Sequence, residues 1–308
     1  MLKLKDFYNC RSEICFSNNF KPVPDIIKPG ESDIRIKGTS EYVILNLCKF
    51  GLQFRNMDFK DKICLITGGS RGIGKAAAVA FASLGATIIF TYRNNAQAAE
   101  QTLNELSPGN HLKVRSDISS ESDCENLVLQ VIAKYGRLDV LVNNAGIFQH
   151  HPLDKIEFDD WKNAWDRTIS TNLTGPAHLT YFVARQMILK RGGKIINITS
   201  RGAFRGEPEF PAYGASKAGL NSFSQSMAVL LAPYNIYVYA IAPGFVETDM
   251  ASPHLEGPNG DTILNQSPLK RAAAPGEIAH AIVMAAADGS EYMTGAIIDV
   301  NGASYLRN

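Results

Sequence analysis

Ile63-Cys-Leu-Ile-Thr-Gly-Gly-Ser-Arg-Gly-Ile-Gly-Lys-Ala-Ala-Ala-Val-Ala-Phe-Ala-Ser-Leu84 is the stretch that decides the fold. Residues 63–67 form a short apolar run that suits a strand buried on both faces. A glycine-rich turn, 68–74, follows at once. Residues 75–84 are strong helix formers with an apolar face, and Gly85 ends them. Residues 87–91, Thr-Ile-Ile-Phe-Thr, supply the next strand. Strand, glycine turn, helix and strand make one βαβ unit. Glycines let the backbone take positive φ and approach a ligand closely. The helix start then offers unpaired N–H groups and a positive dipole end to phosphates. Thr67, Gly68, Ser70, Arg71, Gly72, Ile73 and Gly74 are therefore candidate contacts for a dinucleotide. The spacing Gly68-x-x-x-Gly72-x-Gly74 differs from the common Gly-x-Gly-x-x-Gly, so its context carries the argument.

Cofactor choice is expected at the end of the second strand, where a carboxylate would bind the ribose hydroxyls of NAD. This chain has Thr91-Tyr92-Arg93-Asn94 there. Arg93 and Arg71 suit a 2′-phosphate, so NADP(H) is expected over NAD(H), with Tyr92 beside it. Residues 112–117 read as a third strand. It ends at Asp117, placed with Ile118 to meet the adenine. Residues 139–146 read as a fourth, running into Asn143-Asn144-Ala145-Gly146. Strands and helices alternate throughout, which predicts an α/β fold with a doubly wound parallel sheet, a Rossmann-type single domain.

Tyr213-Gly-Ala-Ser-Lys217 places a phenol and an ammonium on one face of a helix expected over 213–231. A nearby cation favours phenolate, so Lys217 is expected to lower the Tyr213 pKa and make it a general acid/base. Ser200 follows an apolar strand, 194–199. Ligands bind beyond the carboxyl ends of strands, so Ser200 is a candidate for orienting a substrate. Asn172 falls in a predicted helix near Trp161 and Trp165, where an amide can hold an ordered water.

Lys and Arg number 31 against 30 Asp and Glu, a net +1, which argues against a nucleic-acid binder. No run reaches the length of a membrane span. Cys10, Cys15, Cys48, Cys64 and Cys124 are irregularly spaced and suggest neither a disulfide framework nor a zinc site. Reduced thiols in a cytoplasmic protein are the simpler reading. The six histidines form no ligand pattern, so no metal is expected. His150-His151 reads as an exposed loop pair. Residues 1–56 hold three of the cysteines and are broken by Pro22, Pro24, Pro29 and Gly30. Two readings of 1–56 stay open, an upstream read-through before a start at Met57 and a genuine N-terminal extension. Residues 57–308 make the dinucleotide-binding and catalytic domain.

Taken together, Thr67-Gly-x-x-x-Gly-x-Gly74, Asp117, Asn143-Asn-Ala-Gly146, Asn172, Ser200, Tyr213-x-x-x-Lys217 and Pro243-Gly244 resemble the short-chain dehydrogenase/reductase family over about 58–303. Within it, the NADP-type 3-oxoacyl-acyl-carrier-protein reductases look most similar. The resemblance implies an NADPH-dependent carbonyl reductase, possible substrates being 3-oxoacyl thioesters. Tyr213 would protonate the carbonyl, Lys217 would hold the nicotinamide ribose, and Ser200 would hold the substrate oxygen. Asn172 would support a water serving Lys217. Pro243, Gly244, Val246 and Thr248 would line the nicotinamide and pyrophosphate. It further implies a homodimer or homotetramer, built on helices around 161–191 and 213–231, and a substrate lid over 252–267. A sugar, polyol or other alcohol dehydrogenase is the alternative within the family, and a non-catalytic dinucleotide sensor the alternative outside it. Lys190 and Arg191 match part of a basic patch for acyl carrier protein, whereas Tyr234 stands where a second arginine is common. The usual Val-Asp-Gly-Gly reads Val300-Asn-Gly-Ala303. The loop with Arg201, Arg205, Glu207 and Glu209 reads equally as a substrate mouth and as a solvated turn.

Overall fold

Strand β1 (Ile63–Ile66) is buried along its whole length, and its side chains alternate between two cores. Cys64 and Ile66 pack with Ala77, Phe81, Ile278 and Ile282. Ile63 and Leu65 pack with Leu127, Val131, Val183 and Met187. A strand with a period of two and apolar residues on both faces demands a helical layer on each side. That is the physical content of the doubly wound arrangement. Each fully buried Leu, Ile or Phe contributes about 1.5–3 kcal/mol.

The computed structural model describes residues 57–307, together with the backbone of two short strands, Ile34–Ile36 and Val43–Leu45, paired antiparallel. The chain divides into two units between Asn56 and Met57. Cys10, Cys15 and Cys48 lie outside the described residues. Beyond β1 run α1 (Gly72–Ser83), β2 (Thr87–Tyr92), α2 (Ala96–Glu105), β3 (Leu112–Arg115), α3 (Glu121–Tyr135) and β4 (Val140–Asn143). Then come α4 (Phe158–Ile169), a π-helical turn at Ser170–Thr174, α5 (Gly175–Lys190), β5 (Gly193–Ile198), α6 (Pro211–Leu231) and β6 (Ile236–Pro243). Short helices α7 (Ser252–Leu255) and α8 (Gly260–Leu264) precede α9 (Pro275–Ala286) and β7 (Ile297–Val300).

The seven strands are all parallel, in the order β3-β2-β1-β4-β5-β6-β7. After β3 the chain crosses to the other side of β1, so direction reverses between β1 and β4. Turns leaving those two strands diverge there and open a crevice at their carboxyl ends. α6 starts two residues before the expected point because Pro211 occupies the first helical position, where its missing N–H costs nothing. Cys64 and Cys124 are free, buried thiols, and burial pushes both thiol pKa values up. Among the described residues no helix is long and apolar enough to cross a membrane, and no His/Cys/Asp/Glu cluster is placed to hold a metal.

Candidate active site

The β1–α1 turn is a cradle with no room for side chains. Gly68 sits at φ 66° and Gly72 at φ 54°, the left-handed region that glycine tolerates. A Cβ on Gly74 would lie 2.3 Å from the Gly68 carbonyl oxygen. α1 begins with Arg71 extended, no side-chain cap and no acidic residue in its first turn. Its first N–H groups are therefore available to an anion. Thr67 lies beneath the cradle. Its hydroxyl oxygen accepts from the backbone N–H groups of Asn144 and Ala145, both at 2.9 Å. Asn144 Nδ2 donates to the Thr67 carbonyl at 2.8 Å. So Thr67 and Asn144 lock the two diverging turns together, and Thr67, Gly74 and Asn172 stay behind the wall of the cleft.

The cleft above them has a volume of about 580 Å³ and runs from Arg93 to Tyr213. Every other residue expected at the site lines it, from Gly68 and Ser70 through Arg71, Gly72, Ile73, Tyr92, Asp117, Ile118, Ala145 and Gly146 to Pro243, Gly244, Val246 and Thr248. A dinucleotide fits this donor set. Ser116 Oγ, buried at the same end, has no partner. Both arginines expected to face a 2′-phosphate hold carboxylates instead. Arg93 pairs with Asp117 at 2.8 Å, and Arg71 with Asp249 at 3.2 Å. Both guanidiniums are largely exposed, and exposed pairs contribute little, so they exchange readily for a phosphate. Asp117 also accepts from Ser119 N and Oγ, at 3.0 and 2.7 Å. A third guanidinium, Arg115, donates to the Arg93 carbonyl at 3.3 Å.

At the far end stand Ser200, Tyr213 and Lys217. Ser200 Oγ accepts from Gly202 N–H at 3.0 Å, and Ser200 and Tyr213 line the same end of the cleft. Lys217, 4% exposed, donates from Nζ to the Ile198 carbonyl at 2.8 Å and lies 5.7 Å from the Tyr213 ring centroid. Burial pushes the phenol up to about 12, against the lowering effect of Ser200, and burial brings the Lys217 ammonium down to about 8. Desolvation favours the uncharged form of each group. Asn172 is fully buried in the π-helical turn rather than in regular α-helix. Its Oδ1 accepts from Ile147 N at 2.8 Å and its Nδ2 donates to Ile147 O at 2.9 Å. A π-turn re-aims one side chain within a helix and is frequent at functional sites. A Cβ on Gly146 would meet both Asn172 Oδ1 and Lys217 Nζ, at 3.3 and 3.5 Å.

Residues 62–259 match the model of the family described as short chain dehydrogenase. The chain belongs to the short-chain dehydrogenase/reductase family. It is an oxidoreductase. The 3-oxoacyl-acyl-carrier-protein reductase FabG of Escherichia coli is 39% identical over 252 residues, 81% of this chain and 100% of that protein. The FabG of Thermotoga maritima is 38% identical over 248 residues, 80% and 98% of the two chains. Among solved structures, a short chain dehydrogenase from Burkholderia cenocepacia in complex with NADP superposes with a TM-score of 0.71 at 28% identity, covering 80% of this chain and 98% of that one.

Other features of this short-chain dehydrogenase/reductase were not legible in its sequence. Phe148, after the Asn-Asn-Ala-Gly turn, stacks on Phe210 with centroids 3.7 Å apart and meets Tyr213 edge-on at 4.7 Å. His254 of α7 closes on both phenylalanines, 5.4 and 5.5 Å away. No local pattern announces these three, because they come from three separate loops. Of the charged loop, Arg201 is buried and Glu207 lines the cleft, with its carboxyl pushed up by burial. Arg201 and Arg205 both donate to Gln266 Oε1, while Glu209 stays outside beside His150 at 3.6 Å. Lys190 and Arg191 precede β5 whereas Ser200 follows it, so they stand about 20 Å apart, one strand length. The His150-His151 expectation is also corrected, since His151 is fully buried.

Proposed function

We propose that the protein is an NADPH-dependent carbonyl reductase acting on 3-oxoacyl thioesters. The observation that carries this is the grouping of Ser200, Tyr213 and Lys217 at one end of a cleft whose other end holds guanidiniums and no ribose-binding carboxylate on β2. The dinucleotide, when bound, supplies the hydride. Tyr213 donates its proton to the carbonyl oxygen. Ser200, its oxygen already accepting from Gly202 N–H, has its own proton free to hold that same oxygen. Lys217 keeps a cation beneath the ribose end and braces Ile198. With both side-chain arms committed, Asn172 is a positioning residue that fixes Ile147 beside Lys217. The thioester class is supported by the relatives named above. Glu207 in the cleft favours a second reading, a hydroxyl-bearing ketone, because a carboxylate accepts from hydroxyls. Exposed Leu189 on α5 and Val229 and Leu230 on α6 support assembly with further copies of the chain.

Acetoacetyl thioester is expected to drive NADPH oxidation by the purified protein. Binding of NADPH without turnover on it, but with turnover on a sugar ketone, would select the second reading. Arg93→Ala is expected to weaken NADPH binding about 10–100-fold, the equivalent of about 1.5–3 kcal/mol for a charged hydrogen bond, and to leave NADH binding unchanged. Equal loss for both cofactors would remove Arg93 from 2′-phosphate recognition. A basic limb is also expected. Lys217 loses its proton as pH rises through about 8, so kcat/KM falls above that pH. A profile flat to about pH 10 would show that the cation is not needed.

A further inference from the structure

The N-terminus of the catalytic helix carries a cap supplied from a distant loop. In α6, Phe210 is the N-cap and its side chain makes no capping bond. Pro211 has no N–H, and Tyr213 N–H donates back to Phe210 O at 3.0 Å. Ala212 N–H remains, on a residue that is fully buried. It donates to His151 Nε2 at 3.2 Å. An N-cap side chain normally accepts from this second position or the third. Here an imidazole 61 residues away in sequence does so. Its other nitrogen lies 2.7 Å from the Gln149 carbonyl oxygen, an acceptor only. Nδ1 must therefore carry the hydrogen and Nε2 must be bare. The same two loops are joined by His151 N–H donating to Glu209 O at 3.0 Å and by the stack of Phe148 on Phe210.

We propose that His151 is a positioning residue for the proposed acid–base residue Tyr213, acting as a remote N-cap of α6 that works only in its neutral, Nδ1–H form. A second proton on the ring places an N–H against the Ala212 N–H. The buried donor loses its acceptor, and the first turn of α6, which bears Tyr213 one residue on, is released. A second proton on the ring thus uncouples the proposed acid–base residue from the Asn-Asn-Ala-Gly turn. The titratable groups on the elements packed around the ring are His150 and Asp154 on its own loop, Arg205, Glu207 and Glu209 on the facing loop, Tyr213 and Lys217 on α6, and His254 on α7. Of these, Glu207 also titrates upward of an ordinary carboxyl, so it is the competing source of an acid limb.

Two measurements test this. Ring 15N NMR of the full chain, with the His151 signal assigned by its loss in His151→Gln, is expected to show the neutral Nδ1–H tautomer at neutral pH. An Nε2–H or charged ring would overturn the proposal. In carbonyl reduction, His151→Leu is expected to lower kcat about tenfold, with NADPH affinity changed less than about twofold. His151→Gln, which keeps an acceptor and cannot titrate, is expected to restore most of that loss and to abolish the acid limb. The limb should persist in Glu207→Gln. A limb that persists in His151→Gln and vanishes in Glu207→Gln would overturn the proposal, as would full kcat in His151→Leu. The kinetic arm rests on the role proposed for Tyr213, whereas the NMR arm does not. Unchanged turnover in a Tyr213→Phe variant would sink that role and leave the tautomer to decide this one.

Discussion

Replacing Tyr213 by Phe is expected to lower kcat for carbonyl reduction by about 10³-fold, within the about 10²–10⁴-fold typical of a lost general acid. NADPH affinity should stay within about twofold. The ring itself is retained, so the edge-on contact with Phe148 survives. What disappears is one hydroxyl, a stability loss of only about 1 kcal/mol. The effect falls on chemistry because burial holds this phenol protonated, up to about 12. NADPH oxidation measured with variant and wild type under saturating cofactor checks this. Undiminished turnover would mean that the proton comes from elsewhere.

Gly74→Ala should be a strongly damaging single-methyl change in the cradle. The new Cβ would stand 2.3 Å from Gly68 O and 2.5 Å from Asn144 Nδ2. Neither can retreat. Gly68 is held in the left-handed region, and Asn144 Nδ2 is bonded to Thr67 O and Gly68 O, at 2.8 and 3.2 Å. The start of α1 must move away, which opens the phosphate cradle. Overpacking of this kind costs about 3 kcal/mol, a fall in Tm of roughly 6–12 °C for a domain of this size. NADPH affinity should fall at least about tenfold. Gly276→Ala is the control, since nothing lies within 4 Å of its added Cβ. It should leave affinity unchanged and Tm equal or slightly raised. Calorimetry and fluorescence titration of both variants would measure this, and equal behaviour of the two would refute the account of the cradle.

How far the sequence carried is clear from single residues. Ile63 to Leu84 disclosed strand, cradle and helix because each depends on neighbours a few positions away. Tyr213 and Lys217 were legible together because four residues bring two side chains onto one helical face. Arg93 was legible from the missing carboxylate at the end of β2. His151 was misjudged as exposed, because its burial depends on Glu209 and Ala212, some 60 residues on.

By itself, then, the sequence determined the doubly wound α/β class, the dinucleotide cradle and the Ser200–Tyr213–Lys217 set, since these follow from short-range periodicity, glycine conformation and chain order. Tertiary structure alone decided that Asn172 is spent on Ile147, that Phe148 and His254 wall the cleft, and that His151 accepts from Ala212 N–H at the start of α6. Each of these rests on desolvation or on hydrogen bonds between segments that meet only once the sheet has brought its loops to one end.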